Sequence, residues 1–217
     1  MDINENILKS LDRNKPSPVL FEESKSSYVF EFIIKYMKSI CCDKVSNLYC
    51  DKCLVCKKIN SNNYFDSYIF NTYLENLSKD KVSDIINNFS YSSLEKYGFK
   101  FLIIYGVENI NKQVANMLLK SIEEPSKNTF YIFTTRNSNN VISTIRSRCF
   151  LYKIKSDYVR FRNELSNDKL NINYLDFFSN NFYSLSEVNE FKNSENFSNL
   201  IDLYNLFLTN KLDLKSV

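Results

Sequence analysis

Two segments of this chain are apolar almost from end to end, and they restrict the fold more than any other feature. Residues 99–105 read FKFLIIY and residues 129–134 read TFYIFT. Runs of this length without polar alternation suit strands covered on both faces, as in the middle of a parallel sheet. Between them Val114, Met117, Leu118 and Ile122 fall on one helical face, Asn111 stands where an N-cap belongs, and Pro125 stops the helix. Strand, helix, strand in this order is a βαβ unit, because parallel strands need a crossover of this kind. Upstream, residues 18–21 form a shorter strand. A helix follows it with Val29, Phe32, Ile33, Tyr36, Met37 and Ile40 on one face and Ser26 or Ser27 as its cap. Residues 64–70 are a further strand, and Val82, Ile85, Ile86 and Phe89 mark a further amphipathic helix. The expected architecture is an α/β core over 1–155. From Ser156 the chain becomes Asn-rich with helical spacing, clearest at Phe197, Leu200, Ile201, Tyr204 and Phe207, which implies a small all-helical unit over 156–217.

Absences remove whole classes of chemistry. The chain has no histidine, which excludes Ser-His-Asp and Cys-His catalysis and His-ligated metals. Its two glycines, Gly98 and Gly106, cannot build a Gly-rich phosphate cradle or a dinucleotide fingerprint. A net charge of +3 over 217 residues does not suit a protein that coats a polyanion. The first fifteen residues scatter Asp2, Glu5, Asp12 and Arg13 among short apolar pairs, so no secretory h-region is expected. No apolar run approaches the roughly 18 residues of a membrane span. The reading is a soluble, cytoplasmic protein.

Six cysteines occur, and Cys41, Cys50, Cys53 and Cys56 are spaced C-x8-C-x2-C-x2-C. Thiolates two residues apart in a turn can face one Zn²⁺ at about 2.3 Å, and four of them close its coordination shell, so the zinc is structural. Cys42, adjacent in sequence, can stand in for Cys41 as the first ligand. Free thiols and disulfides are the other readings, and disulfides are disfavoured without a secretory leader. Cys149 lies far off in sequence and reads as a core thiol.

Two stretches are more specific than their periodicity: NMLLKSIEEP from Asn116 to Pro125 and TIRSRC from Thr144 to Cys149, joined by NTFYIFTT. Together they resemble the AAA+ core of bacterial DNA polymerase III clamp-loader subunits over roughly residues 18–154. The cysteine spacing is also similar to the zinc module that this family inserts after its first helix, here residues 41–56. The resemblance implies a P-loop-like parallel sheet with an inserted zinc module, followed by a helical lid. About sixty residues follow Ile154, enough for the lid, so a full C-terminal collar domain is not expected.

Hydrolysing members of the family need GxxxxGK[ST], whose backbone N–H groups and Lys hold phosphates while the hydroxyl binds Mg²⁺. The matching segment here is FEESKSS, residues 21–27, in which Lys25 and Ser26 are the only remnant and Glu22 and Glu23 repel phosphate. The Mg²⁺-organising Asp-Glu pair aligns with Tyr105 and Gly106, which supply no carboxylate; Glu108 lies past the strand end and is not assigned that role. Arg136 stands where active members carry a small polar residue. No intrinsic ATP hydrolysis and no ATP cofactor are therefore expected. The Ser147-Arg148-Cys149 motif is retained, and the resemblance makes Arg148 an arginine finger reaching ATP held by a neighbour; Arg146 is less defined. This combination is similar to the delta-prime type, a stator that supports the ring during sliding-clamp loading on primed DNA. Its implied partners are gamma/tau and delta subunits, the sliding clamp and, through the complex, primed DNA. The alternatives are a divergent gamma/tau-type ATPase or a zinc-containing nucleic-acid-binding regulator. The latter is weakened by the few basic and aromatic residues around CDKCLVCKK, residues 50–58.

Overall fold

The computed structural model describes residues 4–11, 16–43, 48–167, 172–194, 196–200, 202, 203 and 206. The chain divides into two compact units, Met1–Ser156 and Asp157–Val217.

The first unit is built on strands β1 (Val19–Glu23), β2 (Ser67–Asn71), β3 (Lys100–Tyr105), β4 (Thr129–Thr135) and β5 (Phe150–Ile154). They lie in the order β2-β3-β4-β1-β5, and every pairing is parallel. Helices α1 (Glu5–Ser10), α2 (Val29–Cys41) and α3 (Leu54–Asn60) pack on one face, and α4 (Lys79–Phe89), α5 (Lys112–Glu123) and α6 (Ser143–Arg146) on the other. The apolar runs divide between the two faces by strict alternation. Phe101, Ile103, Phe130 and Ile132 join the α2 side, while Leu102, Ile104, Tyr131 and Phe133 join the α5 side. All of β3 and β4 is buried, which explains why those segments need no polar face. Each such Phe, Leu or Ile side chain stabilises the fold by about 1.5–3 kcal/mol through burial.

Asn111 caps α5 as its position implies, its Oδ1 accepting from the Val114 N–H at 2.9 Å. Two expectations are corrected. Neither Ser26 nor Ser27 caps α2. That helix begins at Val29 after Tyr28, and the strand-to-helix turn uses left-handed backbone at Ser26 and Tyr28, φ 55° and 50°, while burying both serines. The second strand starts at Ser67 and not at residue 64, because Tyr64 turns inward and donates its hydroxyl to the Phe99 carbonyl at 2.9 Å. At the N-terminal end, Asn4 exchanges two hydrogen bonds with the Lys155 backbone, and Leu8 of α1 enters the core.

The second unit is helical, with α7 (Tyr158–Asn167), α8 (Ile172–Asn181) and α9 (Leu185–Lys192). Phe178 is fully buried, with the rings of Phe177, Phe182, Phe191 and Phe197 around it at 5.5–6.4 Å between centroids. Ile201, Tyr204 and Phe207 of the expected terminal helical face lie outside the described residues, as do Asp2, Asp12 and Arg13. Among the described residues no helix is long and apolar enough to cross a membrane.

Candidate functional site

The cysteine module forms where α2 ends and α3 begins. Cys41 is the last residue of α2, and its side chain faces inward, 1% exposed, with its Sγ 3.8 Å from the Tyr64 hydroxyl. Cys42 follows in extended conformation, its N–H held by the Lys38 carbonyl at 2.9 Å. That single step decides which sulfurs meet: those of Cys42, Cys50, Cys53 and Cys56 all lie within 4.8 Å of one another. Cys41, expected from spacing as the first ligand, stands outside this group because the helix points it at the core, and Cys42, the expected stand-in, takes its place among the four sulfurs. Cys53 caps α3, its Sγ accepting from the Cys56 N–H at 3.5 Å, and Cys50 Sγ accepts from the Cys53 N–H at 3.4 Å. A tetrahedral ion with bonds of about 2.3 Å to sulfur separates its ligands by about 3.8 Å; Cys42 and Cys53 already stand 4.0 Å apart. The four sulfurs could therefore hold a metal ion with small adjustment.

The thiols differ in acidity. Backbone N–H groups of Lys52 and Cys53 hold Cys50 down at about 6, whereas burial pushes Cys41 and Cys56 up to about 12. Cys149 stands apart from the cluster, packed against the α5-side core, and burial raises it to about 12 as well.

A second constellation lies at the carboxyl ends of the strands, where open parallel sheets bind ligands. Four neighbouring strands each send one group there. Glu23 ends β1, Tyr73 lies two residues past β2, Glu108 sits in the 3₁₀ turn Val107–Asn109 after β3, and Arg136 follows β4. The Tyr73 hydroxyl is 3.2 Å from Glu23 Oε1 and 3.0 Å from Glu108 Oε1, and Glu108 Oε1 also accepts from the Arg136 N–H at 3.0 Å. The Arg136 guanidinium covers the Tyr73 ring at 4.1 Å from its centroid. Burial raises the Glu23 carboxyl above its ordinary range, opposed by the nearby Arg136 charge. Lys25 is lowered by burial and by the same guanidinium. Tyr105 and Gly106 sit beneath this cluster; an added Cβ on Gly106 would meet the Tyr73 ring at 2.9 Å. The residues present do not fit a Mg²⁺–phosphate group: the carboxylates there, Glu23 and Glu108, are both engaged by the Tyr73 hydroxyl, and Tyr73 packs against the space beside Gly106.

Arg148 follows α6 in a tight turn, its N–H bonded to the Ile145 carbonyl at 3.0 Å. Its guanidinium pairs with Glu123 at 2.5 Å and donates to the Thr144 carbonyl at 3.0 Å, and both partners of the ion pair are substantially exposed. Ser147 bonds back to Thr144. Arg146 donates to Ser138 and Asn139, tying the preceding loop down. The family resemblance points to Arg148, and residue spacing points to the cysteines. Neither gives a sign of Tyr73 or of Glu23 as a partner, because these meet only through the sheet order.

Residues 2–158 match the family described as DNA polymerase III, delta subunit. Over 128 residues the chain is 29% identical to the DNA polymerase III subunit delta' of Buchnera aphidicola subsp. Acyrthosiphon pisum, covering 59% of this chain and 39% of that protein. It is 28% identical over 144 residues to the subunit of the same name from Bacillus subtilis, covering 66% and 44%. The crystal structure of a DNA polymerase III, gamma subunit-related protein from Thermotoga maritima is similar in fold, with a TM-score of 0.50 at 20% identity, covering 75% of this chain and 48% of that one. The chain thus spans about two fifths of the length of these curated relatives.

Proposed function

The chain belongs to the DNA polymerase III delta subunit family, and on that footing we propose that it acts as a delta-prime-like member of a clamp loader that hydrolyses no ATP itself. The observation that carries this reading is the strand-end cluster. Glu23, Tyr73, Glu108 and Arg136 bond to one another in the crevice where a hydrolysing relative would hold Mg²⁺ and phosphate. The contribution to chemistry is Arg148, offered to ATP on an adjoining gamma-type subunit. An exposed ion pair such as Arg148–Glu123 is worth about 0–1 kcal/mol, so its release toward a phosphate costs little. A guanidinium engages two phosphate oxygens while staying charged, and such a finger accelerates phosphoryl transfer by roughly 10³–10⁵. The four-sulfur cluster of Cys42, Cys50, Cys53 and Cys56 supports one bound zinc. It would leave no open coordination position and so would serve the fold, not the reaction.

The test is reconstitution with gamma-type and delta subunits, the sliding clamp and primed DNA. Arg148→Ala should assemble normally and slow single-turnover hydrolysis at the adjoining site by about 10³ or more. Unchanged hydrolysis removes the finger. Turnover by the isolated chain returns it to the divergent ATPases, and failure to join any clamp-loader subunit overturns the reading as a whole.

A further inference from the structure

Lys38 has an unusual position for a lysine: it is buried, 6% exposed, in the last turn of α2. Its amine meets the two residues on either side of Cys50. It pairs with Asp51 Oδ1 at 2.5 Å and lies over the Tyr49 ring at 4.3 Å from the centroid. Its carbonyl meanwhile holds the Cys42 N–H at 2.9 Å. One residue therefore fixes two of the four sulfurs, Cys42 through the backbone and Cys50 through the side chain. Asp51 has a left-handed backbone, φ 55°, which aspartate adopts more readily than most residues, and Asn60 bonds the same carboxylate at 3.3 Å. The turn from Cys50 to Cys53 is thus clamped from α2 on one side and α3 on the other.

We propose that Lys38 is the positioning residue of the metal module, pre-setting Cys50 and Cys42 for a tetrahedral ion. The inference rests on the reading that Cys42, Cys50, Cys53 and Cys56 hold a metal. Groups that orient ligands without touching the metal typically alter affinity by 10–100-fold, because a ligand left free to wander must be ordered at the moment of binding.

The experiment uses the full chain, stripped of metal under reducing conditions, with Co²⁺ as a spectroscopic probe and Zn²⁺ affinity measured by competition with a chromophoric chelator. Wild-type chain should give the thiolate-to-cobalt charge-transfer band of a four-sulfur site. Lys38→Met keeps the aliphatic stem and leaves the backbone bond to Cys42. It should weaken Zn²⁺ binding by about 10–100-fold, and Lys38→Arg should recover most of that loss. Asp51→Asn keeps a residue suited to left-handed backbone at an exposed site. It tests the clamp should Lys38→Met fail to fold, and should weaken binding by less than Lys38→Met does, because the Tyr49 contact remains. If wild type binds but both variants bind equally tightly, Lys38 has no positioning role and the metal reading stands. If wild type binds neither cobalt nor zinc, the metal reading and this inference fall together.

Discussion

Gly106→Ala should be among the most damaging single-methyl additions available to this chain. Gly106 follows β3 with φ 74°, where an L side chain costs about 1–2 kcal/mol. The added Cβ would also stand 2.7 Å from Thr72 Oγ1 and 2.9 Å from two carbons of the Tyr73 ring. Neither neighbour can withdraw cheaply. Thr72 is bonded to the Tyr105 and Gly106 carbonyls, and Tyr73 is held between Glu23, Glu108 and Arg136. Overpacking of this kind costs a further 1–3 kcal/mol or so, giving a total of about 2–5 kcal/mol. At about 2–4 °C per kcal/mol for a chain of this size, the melting temperature should fall by roughly 4–20 °C. Gly98→Ala is the internal control. It has the same φ of 74°, but its nearest obstacle is Asn128 Nδ2 at 3.5 Å, so only the backbone cost of about 1–2 kcal/mol applies. Urea denaturation of the two variants separates the backbone and steric contributions. Equal losses would refute the claim that Tyr73 is pinned over Gly106.

Glu23 and the cysteine module give two further predictions. Burial raises the Glu23 carboxyl above its ordinary 4.5, so the folded state binds its proton more tightly than the unfolded state does. Its contribution to stability is therefore complete below pH 4.5 and is lost as pH rises through the folded value. Glu23→Gln should flatten that part of the stability–pH curve, measured by denaturation at a series of pH values; an unchanged slope places the effect elsewhere. Metal binding needs thiolates, and burial keeps Cys56 protonated up to about 12, so loading at neutral pH should release protons, visible as buffer-dependent heat in calorimetry. Acid competes for the same sulfurs, and affinity should fall steeply once Cys50, near 6, also protonates; pH-independent affinity would exclude a thiolate site.

The central strands were legible because a strand buried on both faces must be apolar throughout, and residues 99–105 and 129–134 are almost wholly so. Asn111 was legible because a cap acts within three residues of itself. The α2 start was not: Ser26 and Ser27 have cap chemistry, but the turn is decided by the left-handed backbone of Ser26 and Tyr28. The cysteine module was legible as a module, since three of its four cysteines lie within seven residues, from Cys50 to Cys56. The choice between Cys41 and Cys42 was not. It depends on the residue at which α2 stops, and helix ends are the least determined feature of a helical pattern. The strand-end cluster was invisible for a different reason. Glu23, Tyr73, Glu108 and Arg136 are far apart in sequence, and nothing local marks them as partners. Only the order β2-β3-β4-β1 brings their four loops to one edge.

We propose that this chain leaves ATP chemistry to a neighbour, its own crevice being occupied by the bonded Glu23, Tyr73, Glu108 and Arg136 side chains. Equilibrium titration of the isolated, metal-replete chain with Mg·ATP should then show no saturable binding at millimolar nucleotide. Stoichiometric binding at micromolar nucleotide, displaced by ADP, would overturn the proposal.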